Sequence, residues 1–365
     1  MTERQSEQHA ADGVRCMLMR GGSSKGAYFL RDELPTGADE RDLFLMRIMG
    51  TPDPRQIDGI GGAHPLTSKV AVVAPSEHPR AHIEYLFLQV GVDQPTVTDR
   101  QNCGNLLAGV APFAIERGLL SPRGEHTSVR IHMLNTDSVA TATLPLVDGM
   151  PVYAGPTAIS GVPGTAAPIR LDFEDIAGGS CGALLPTGNV VDKVAGVACT
   201  LVDNGMPVVV MRATEVGVAG YEDCAELEAN VELRAHLEDI RLQAGKLMRL
   251  GDVTDTTVPK LTIVAPPRNG GAISTRTFIP HRCHDAIGVL GAVSVATAAL
   301  LPGSPANDVL GSAGDRSVVL EHPTGTFEAA IDIRTDPDGR PIVERAGIIR
   351  TARKLMDGLV FARAD

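Results

Sequence analysis

The sequence lacks tryptophan, and aromatic residues make up only 3% of its 365 positions. Hydrophobic residues nevertheless reach 43%, so its cores must consist of aliphatic and small side chains. No segment approaches the ~18 consecutive apolar residues of a membrane helix. The first ten residues are polar and show no apolar core of a secretory signal. We therefore expect a cytoplasmic protein that does not associate with membranes.

Positive charge is also scarce, since 33 Lys and Arg face 44 Asp and Glu, for a formal net charge of −11. This balance argues against nucleic acid and anionic lipid as partners, although a local cluster of cations can still bind a small anion. The six cysteines show no tight paired spacing, which favours reduced thiols over a disulfide framework or a structural metal site.

The second half of the chain repeats features of the first, and 365 residues is long for a single core. Ser68-Lys-Val-Ala-Val-Val-Ala-Pro75 matches Pro259-Lys-Leu-Thr-Ile-Val-Ala-Pro266 in register. A strand candidate and a helix candidate precede each copy, and the second of these helices is predicted to run unbroken from about 224 to 250. Chance similarity in a Val/Ala-rich sequence is the alternative. The order of elements favours duplication.

A Gly/Ala-rich apolar helix follows each copy, over 104–117 and 286–301. A helix that is apolar on all faces must be buried. We therefore predict an α+β fold of two domains, 13–186 and 187–361, each with a curved sheet around one central helix. If both helices begin at the domain interface, their N-termini face one cleft, which is a preferred place for a ligand.

Cys103 lies in the string Gln101-Asn102-Cys103-Gly104-Asn105, directly before the first apolar helix. The first N–H groups of a helix lack intrahelical partners, and the helix dipole is positive there. Such a position favours a thiolate and can hold a carboxylate. The alternative for Cys103 is a small buried hydrophobic residue, which is a common fate of free cysteine.

Lys69 follows a glycine-dense loop and opens an apolar strand. Partial desolvation there favours the neutral amine, so Lys69 is a candidate general base, with Ser68 directly before it. The alternative is an edge-strand lysine that reaches solvent. Glycines in the preceding loop permit close approach of the backbone to a ligand, which strengthens the functional interpretation.

Three further segments offer polar groups. The loop Arg20-Gly-Gly-Ser-Ser-Lys-Gly26 lacks a full phosphate-loop pattern but can donate hydrogen bonds to a carboxylate. His281-Arg-Cys-His284 crowds three metal-binding side chains into four residues, so a metal is not predicted. Arg268, Arg276 and Arg282 are candidate carboxylate clamps, although each alone is more often a solvated surface residue.

Segments spread over residues 14–355 together resemble the 2-methylaconitate isomerase family, and within it the 4-oxalomesaconate tautomerases. The strings that carry the resemblance include Leu18-Met-Arg-Gly-Gly-Ser-Ser-Lys-Gly-Ala-Tyr-Phe29, Leu66-Thr-Ser-Lys-Val70, Gln101-Asn-Cys-Gly-Asn105, Gly182-Ala-Leu-Leu-Pro-Thr-Gly-Asn189, Pro267-Arg-Asn-Gly-Gly271 and Phe278-Ile-Pro-His-Arg-Cys-His284.

The resemblance implies the diaminopimelate-epimerase-like fold, with the site between two similar domains. It also implies an allylic 1,3-proton shift, without metal or organic cofactor, on a small tricarboxylate in bacterial degradation of gallate or protocatechuate. Epimerases of this fold place a cysteine before each central helix. Here Cys283 stands in a different local string, which favours a single-base mechanism with Lys69. A homodimer is compatible with the sequence.

The predicted catalytic residues are Lys69, Cys103 and Ser68. The predicted substrate-binding residues are Arg20, Ser23, Ser24, Lys25, Gly104, Asn105, Thr187, Asn189, Arg276 and Arg282. Isomerisation of 2-methylaconitate or of an itaconate-type acid is the alternative within the same class. A non-catalytic carboxylate-binding protein is the alternative outside it, and the presence of both Lys69 and Cys103 counts against that reading.

Overall fold

The computed structural model describes residues 13–99, 103–174, 176–313 and 317–363. The α-helices in these ranges are Ala38–Met49 (α1), Gly104–Glu116 (α2), Cys224–Ala229 (α3), Val231–Leu247 (α4) and Val289–Leu300 (α5). Short 3-10 helices cover Arg31–Glu33, Pro65–Thr67, Ala213–Val216 and Asn307–Val309. Within the described ranges, no helix is long and apolar enough to cross a membrane.

The strands are short and are joined mostly by glycine- and proline-containing turns. In chain order they are β1 Val14–Gly21, β2 Ser24–Leu30, β3 Lys69–Pro75, β4 Ile83–Val90, β5 Val97–Thr98, β6 His126–Met133, β7 Ser138–Val147, β8 Met150–Pro151, β9 Ile169–Phe173, β10 Asp192–Val194, β11 Val197–Asp203, β12 Pro207–Arg212, β13 Lys260–Ala265, β14 Ile273–Phe278, β15 Ser317–His322, β16 Gly325–Thr335, β17 Pro341–Arg350 and β18 Ala352–Val360.

The chain divides into two compact units. The first unit comprises the described residues of 1–171 and 350–365, and the second comprises those of 172–349. This division differs from the predicted domains 13–186 and 187–361 at both ends of the second unit. Residues near 180 belong to the second unit because the amides of Ser180 and Cys181 both donate to Asp203 Oδ2, at the end of β11, over 2.8 Å.

The last strand returns to the first unit. β18 pairs antiparallel with β1 along its whole length, from Val14 opposite Val360 to Gly21 opposite Ala352. β1 also pairs antiparallel with β2, which is parallel to β3. β3 and β4 are antiparallel, β4 and β6 parallel, and β6 and β7 antiparallel. α2 packs against β1, β2, β3, β4, β7, β8 and β18, and its residues 106–115 are all buried.

The second unit repeats this order of pairings. β11 and β12 are antiparallel, β12 and β13 parallel, β13 and β14 antiparallel, β14 and β15 parallel, and β15 and β16 antiparallel. α5 packs against β11, β12, β15 and β16, and its residues 291–299 are buried. The predicted repeat, a sheet around one apolar helix in each half, is therefore confirmed unit by unit.

The single helix predicted over 224–250 is wrong, because the chain breaks at Asn230. The backbone of Asn230 is extended, and its Oδ1 accepts a hydrogen bond of 3.0 Å from the Leu233 amide. Asparagine is among the preferred N-cap residues, so this side chain ends α3 and begins α4. α3 has its own capping box, formed by Asp223 and Glu226.

Candidate active site

Lys69 is the first residue of β3 and has only 8% of its surface exposed. Its Nζ donates to Cys103 Sγ at 3.3 Å and lies 5.4 Å from the centroid of the Phe87 ring. Gly26 lies opposite Lys69 in the parallel β2–β3 pair, and a Cβ there would meet the Lys69 carbonyl oxygen at 2.6 Å. Glycine at position 26 therefore allows β2 to approach β3 closely. The low exposure of Lys69 and its contact with Cys103 show that its side chain does not extend into solvent.

Cys103 occupies the N-cap position of α2, with extended backbone angles of φ −130° and ψ 94°. It is 6% exposed, and its carbonyl accepts the hydroxyl of the buried Tyr85 over 3.3 Å. Gly104 and Asn105 form the first turn of α2, where unpartnered N–H groups create a positive end. The neighbouring Gln101 and Asn102, which belong to the same predicted string, lie outside the described residues.

The contact between Lys69 and Cys103 unites two residues that are 34 positions apart in the chain. An amine and a thiol in direct contact, beside an aromatic ring and shielded from bulk water, can hold and move one proton. The positive end of α2 adds a place for negative charge on a bound molecule. The arrangement suits removal of a proton from a carbon acid whose anion is stabilised nearby.

Ser68 is fully buried and faces a glutamine rather than an open site. Its Oγ donates to Gln56 Oε1 at 2.6 Å, and the same oxygen accepts the amide of Ala63 at 2.8 Å. Gln56 Nε2 donates to Thr51 Oγ1 at 3.1 Å. Gln56 itself has a positive φ of 47°, which is uncommon for a residue other than glycine. This arrangement assigns Ser68 to the support of the turn before Lys69, and its catalytic role stays a prediction.

The β1–β2 hairpin joins the start of α2 through side chains. Asn105 Nδ2 donates to Ser23 Oγ at 3.3 Å, and Asn105 Oδ1 accepts Arg350 Nε at 3.2 Å. Burial lowers the pKa of Arg350 to about 10. Arg20 donates through one nitrogen to the carbonyl of Gly22 at 2.7 Å and to the hydroxyl of Thr351 at 2.9 Å. A side-chain hydrogen bond therefore links the predicted hairpin residues to the predicted helix start.

A cavity of about 520 Å³ opens beside this hairpin, within the first unit. Four predicted substrate-binding residues line it, namely Arg20, Ser23, Ser24 and Lys25. Thr67, Tyr153, residues 161–166, Thr351 and Arg353 complete much of the wall. The volume falls in the range usual for small-molecule sites. Lys69 and Cys103 do not line the cavity, but Thr67 brings its wall within two residues of Lys69.

The remaining predicted binding residues belong to the second unit. Thr187 Oγ1 and Asn189 Nδ2 both donate to the carboxylate of Asp192, at 2.6 and 3.0 Å. Arg276 is buried and donates to the carbonyls of Glu222, Thr275 and Tyr221 at 2.7–3.0 Å. The side chain of Arg282 is 82% exposed, and its Nε lies 3.8 Å from Glu228 Oε1. Their contact with a substrate stays a prediction.

The second unit has no thiol in the place that Cys103 takes in the first. The N-cap residue of α5 is Gly288, and Cys283 lies five residues earlier, with its Sγ 2.8 Å from the Sγ of Cys224. Burial, followed by the contact with Cys224, raises the pKa of Cys283. Arg268 stacks on the ring of Tyr221, 3.3 Å from its centroid. Among the described residues, no group of three metal-binding side chains is assembled, including around His281 and His284.

Three supporting residues were missed by reasoning from sequence. Gln56, Tyr85 and Arg350 are distant in the chain from the groups they contact, by 12, 18 and 245 residues respectively. A polar residue inside an apolar strand, such as Tyr85 in β4, gives only a weak signal. Gln56 and Arg350 give none, because their roles depend on which strands and loops become neighbours.

Comparison with known proteins gives consistent results over nearly the whole chain. A family model described as PrpF protein matches residues 12–363. A (4E)-oxalomesaconate Delta-isomerase of Novosphingobium sp. (strain KA1) is 59% identical over 352 residues, which cover 96% of this chain and 98% of the relative. A 4-oxalomesaconate tautomerase of Pseudomonas putida is 54% identical and covers 96% and 97%.

A crystal structure of methylitaconate-delta-isomerase superimposes with a TM-score of 0.86 and 34% sequence identity. The match covers 96% of this chain and 95% of that one. A crystal structure of a hydroxyproline epimerase from Agrobacterium vitis matches the fold with a TM-score of 0.50 at 14% identity, over 95% of this chain and 92% of that one. The predicted α+β, epimerase-like fold class is confirmed by these two structures.

Proposed function

The chain belongs to the PrpF family, and we propose from this that it is an isomerase that shifts a proton across the allylic system of 4-oxalomesaconate. Its relatives with 54–59% identity carry the names of 4-oxalomesaconate isomerases and tautomerases. The structural observation that carries the proposal is the 3.3 Å contact between Lys69 and Cys103 at the start of α2. In the proposed reaction, Lys69 is the general base.

In the proposed mechanism, the Lys69 amine takes a proton from the carbon next to the conjugated ketone and carboxylate. The charge delocalises into a dienolate, and Lys69 returns the proton to the far carbon, so no electron or net proton is consumed. The amides of Gly104 and Asn105 and the hydroxyls of Ser23 and Ser24 are the candidate donors to the developing charge. Loss of one such donor typically costs ~10²–10³ in rate.

Cys103 has two possible roles in this scheme. Its thiol can act as an acid toward the intermediate, or it can hold the amine of Lys69 and a substrate carboxylate in position. The second unit has no matching cysteine before α5, which favours one base over a symmetric pair of thiols. A single lysine that removes and returns the proton is consistent with a tautomerisation.

An assay of the purified protein tests the proposal. We expect the highest kcat/KM with 4-oxalomesaconate, measured by loss of its conjugated absorbance. We also expect solvent deuterium at a product carbon, because the Lys69 ammonium carries two solvent-derived hydrons beside the proton taken from the substrate. 2-Methylaconitate and 3-methylitaconate are the comparison substrates. Turnover confined to one of those two acids would assign the related isomerase activity instead. Binding without turnover or deuterium exchange for all three would indicate a carboxylate-binding protein.

A further inference from the structure

Two thiols of the second unit lie in direct contact. Cys224 is the first residue of α3, and Cys283 follows β14 in the segment that leads to α5. Cys224 Sγ donates to Cys283 Sγ over 2.8 Å, and all six cysteines of the chain are free. The two sulfurs of a disulfide are about 2.05 Å apart. A shift of less than ~1 Å along the line between these sulfurs therefore brings them to bonding distance.

The backbone on both sides of this thiol pair is held by hydrogen bonds that do not involve sulfur. A capping box between Asp223 and Glu226 holds the start of α3. The amide of Cys283 donates to Glu228 Oε1 at 2.9 Å, and Cys283 forms a β-bridge with Phe278 at the end of β14. Because Glu228 belongs to α3, the helix and the Cys283 segment are held side by side without any covalent link.

The two thiols differ in their access to solvent. Cys224 is partly exposed, whereas Cys283 is only 7% exposed and packs in an apolar cluster with Leu227 and Phe278. Burial, followed by the hydrogen bond and the charge of Cys224, raises the pKa of Cys283. Cys224 is therefore the thiol that a dissolved oxidant reaches first, and Cys283 is a protonated partner behind it.

A cysteine that serves only as a small apolar residue is available for contrast in the same cluster. Cys199 is fully buried, and its Sγ donates to the carbonyl of Val197 over 3.6 Å. The pair differs from Cys199 in two respects, since one sulfur reaches solvent and the other lies against it. Both are requirements for a thiol that is oxidised and then resolved by a second thiol.

We propose that Cys224 and Cys283 form an oxidative modification site, in which hydrogen peroxide converts the pair to a disulfide that locks α3 to the segment before α5. The Cys224 sulfur attacks one peroxide oxygen, the O–O bond breaks, and the products are a sulfenic acid and water. The Cys283 sulfur then attacks the Cys224 sulfur, and the hydroxyl group leaves as water with the Cys283 proton. The two thiols together lose two electrons, and the peroxide is reduced to two waters. A thiol reductant reverses the change by disulfide exchange.

The disulfide closes a loop that contains α4, β13 and β14, because the two cysteines are 59 positions apart. Such a cross-link stabilises a protein mainly by restricting the unfolded chain. We expect oxidation to raise the melting temperature by roughly 4–16 °C, from the typical effect of a disulfide in a unit of this size.

Mass spectrometry of the wild-type protein tests the site. Reduced protein is treated with hydrogen peroxide, its remaining thiols are blocked with N-ethylmaleimide under denaturing conditions, and it is digested with trypsin. We expect the tryptic peptides 213–234 and 283–316 to be joined, lighter by two hydrogens than their sum, and to separate in dithiothreitol. Cys199→Ala should still give the linked pair. Unlinked peptides in the oxidised wild-type protein, or links mainly between other cysteines, would overturn the proposal.

Thermal unfolding, followed by circular dichroism, tests the lock. Wild type and Cys199→Ala should melt at a higher temperature after peroxide treatment, whereas Cys224→Ala should melt at the same temperature before and after. Because Cys224→Ala keeps Cys103, it also controls for oxidation at the candidate active site. A linked wild-type protein with an unchanged melting temperature would overturn the lock. Neither measurement needs a substrate, so both remain decisive if the protein does not convert 4-oxalomesaconate.

Discussion

At the scale of single residues, Lys69 differs from Lys260, its counterpart in the second repeat, in its contact with a thiol. Lys69 begins β3 in the first unit, and Lys260 begins the corresponding strand β13 in the second. Each of these strands pairs parallel with the strand before it, where Lys69 lies opposite Gly26 and Lys260 lies opposite Val208. Among the described residues only Lys69 meets a thiol at the N-cap of a central helix, because α5 has Gly288 at that position.

We expect Lys69→Met to lower kcat for 4-oxalomesaconate by at least ~10²-fold, because acid–base groups typically contribute 10²–10⁴-fold. The fold should persist, since methionine is similar in length and apolar. Absorbance kinetics and deuterium exchange measure the loss, and circular dichroism measures the fold. Lys260→Met is the matched control and should retain the wild-type rate. A Lys69→Met protein with a near-wild-type rate would remove Lys69 from the role of base.

Gln56 gives a second prediction at this scale, since three hydrogen bonds converge on its amide. Gln56→Ala leaves the buried Ser68 hydroxyl and the Ala63 amide without their acceptor. We expect the free energy of unfolding to fall by ~1–3 kcal/mol, and kcat to fall with it, because the turn before Lys69 loses its support. Denaturant titration measures the first effect.

Gln94→Ala is the control for Gln56→Ala, because Gln94 is an exposed residue of the same unit. Stability of Gln56→Ala equal to that of Gln94→Ala would show that the buried amide network contributes nothing to the fold.

At the scale of elements, the two central helices differ in the space around one of their glycines. A Cβ added to Gly109 in α2 would overlap the hydroxyl of Tyr28, which donates to the Leu106 carbonyl at 2.6 Å. A Cβ added to Gly291 in α5 meets no atom within 4 Å apart from its chain neighbours and the backbone of its own helix. Both positions are buried in apolar helices, so sequence pattern alone treats them as equivalent.

We expect Gly109→Ala to lower the free energy of unfolding by ~1–3 kcal/mol, because overpacking displaces Tyr28 from α2. Gly291→Ala should instead raise it by up to ~1 kcal/mol, because alanine has the higher helix propensity. Denaturant unfolding measures the free energy of unfolding of both variants, and the values are compared provided that the m-values are equal. Changes of the same sign would contradict the packing argument.

Local pattern predicted the central helices well, because an apolar helix next to strands can only be buried. It also predicted the Lys69 strand and the Cys103 helix start, since both depend on residues adjacent in the chain. It failed at Asn230, where a side-chain cap outweighed a continuous helical pattern.

Long-range pairings were the least accessible from sequence. Arg20 contacts Thr351 across 331 residues, a contact that exists only once β18 pairs with β1.

At the scale of the whole molecule, the formal charge of −11 disfavours an anionic ligand everywhere except at local clusters of cations. The same excess of carboxylates makes stability depend on how those groups are paired. In the second unit, Arg241 is fully buried and donates hydrogen bonds to both carboxylate oxygens of Glu238, at 2.7 and 2.8 Å. It also donates to the carbonyl of Val253 at 2.8 Å, so the pair ties α4 to the segment before β13.

The hydrogen bonds from Arg241 lower the pKa of Glu238 below its ordinary value of 4.5. A carboxylate whose folded pKa is depressed contributes stability that is present above its unfolded pKa and is lost as pH falls through the folded pKa. We therefore expect the free energy of unfolding to decline below about pH 4.5 as Glu238 takes up its proton. Glu238→Gln should cost ~1.5–3 kcal/mol at pH 7, because a charged hydrogen-bond acceptor is lost from a buried guanidinium.

The decisive observation is the shape of the two stability curves. Because glutamine resembles a protonated glutamate, the wild-type and Glu238→Gln curves should converge as pH falls below the folded pKa of Glu238 and separate above it. Chemical denaturation at a series of pH values measures both curves. Asp338→Asn is the control, since Asp338 is 72% exposed, 4.0 Å from Arg340, and such pairs contribute little. Parallel curves for wild type and Glu238→Gln would mean that this carboxylate does not carry the acid sensitivity, which would then lie with pairs such as Asp357 and Arg117 in the first unit.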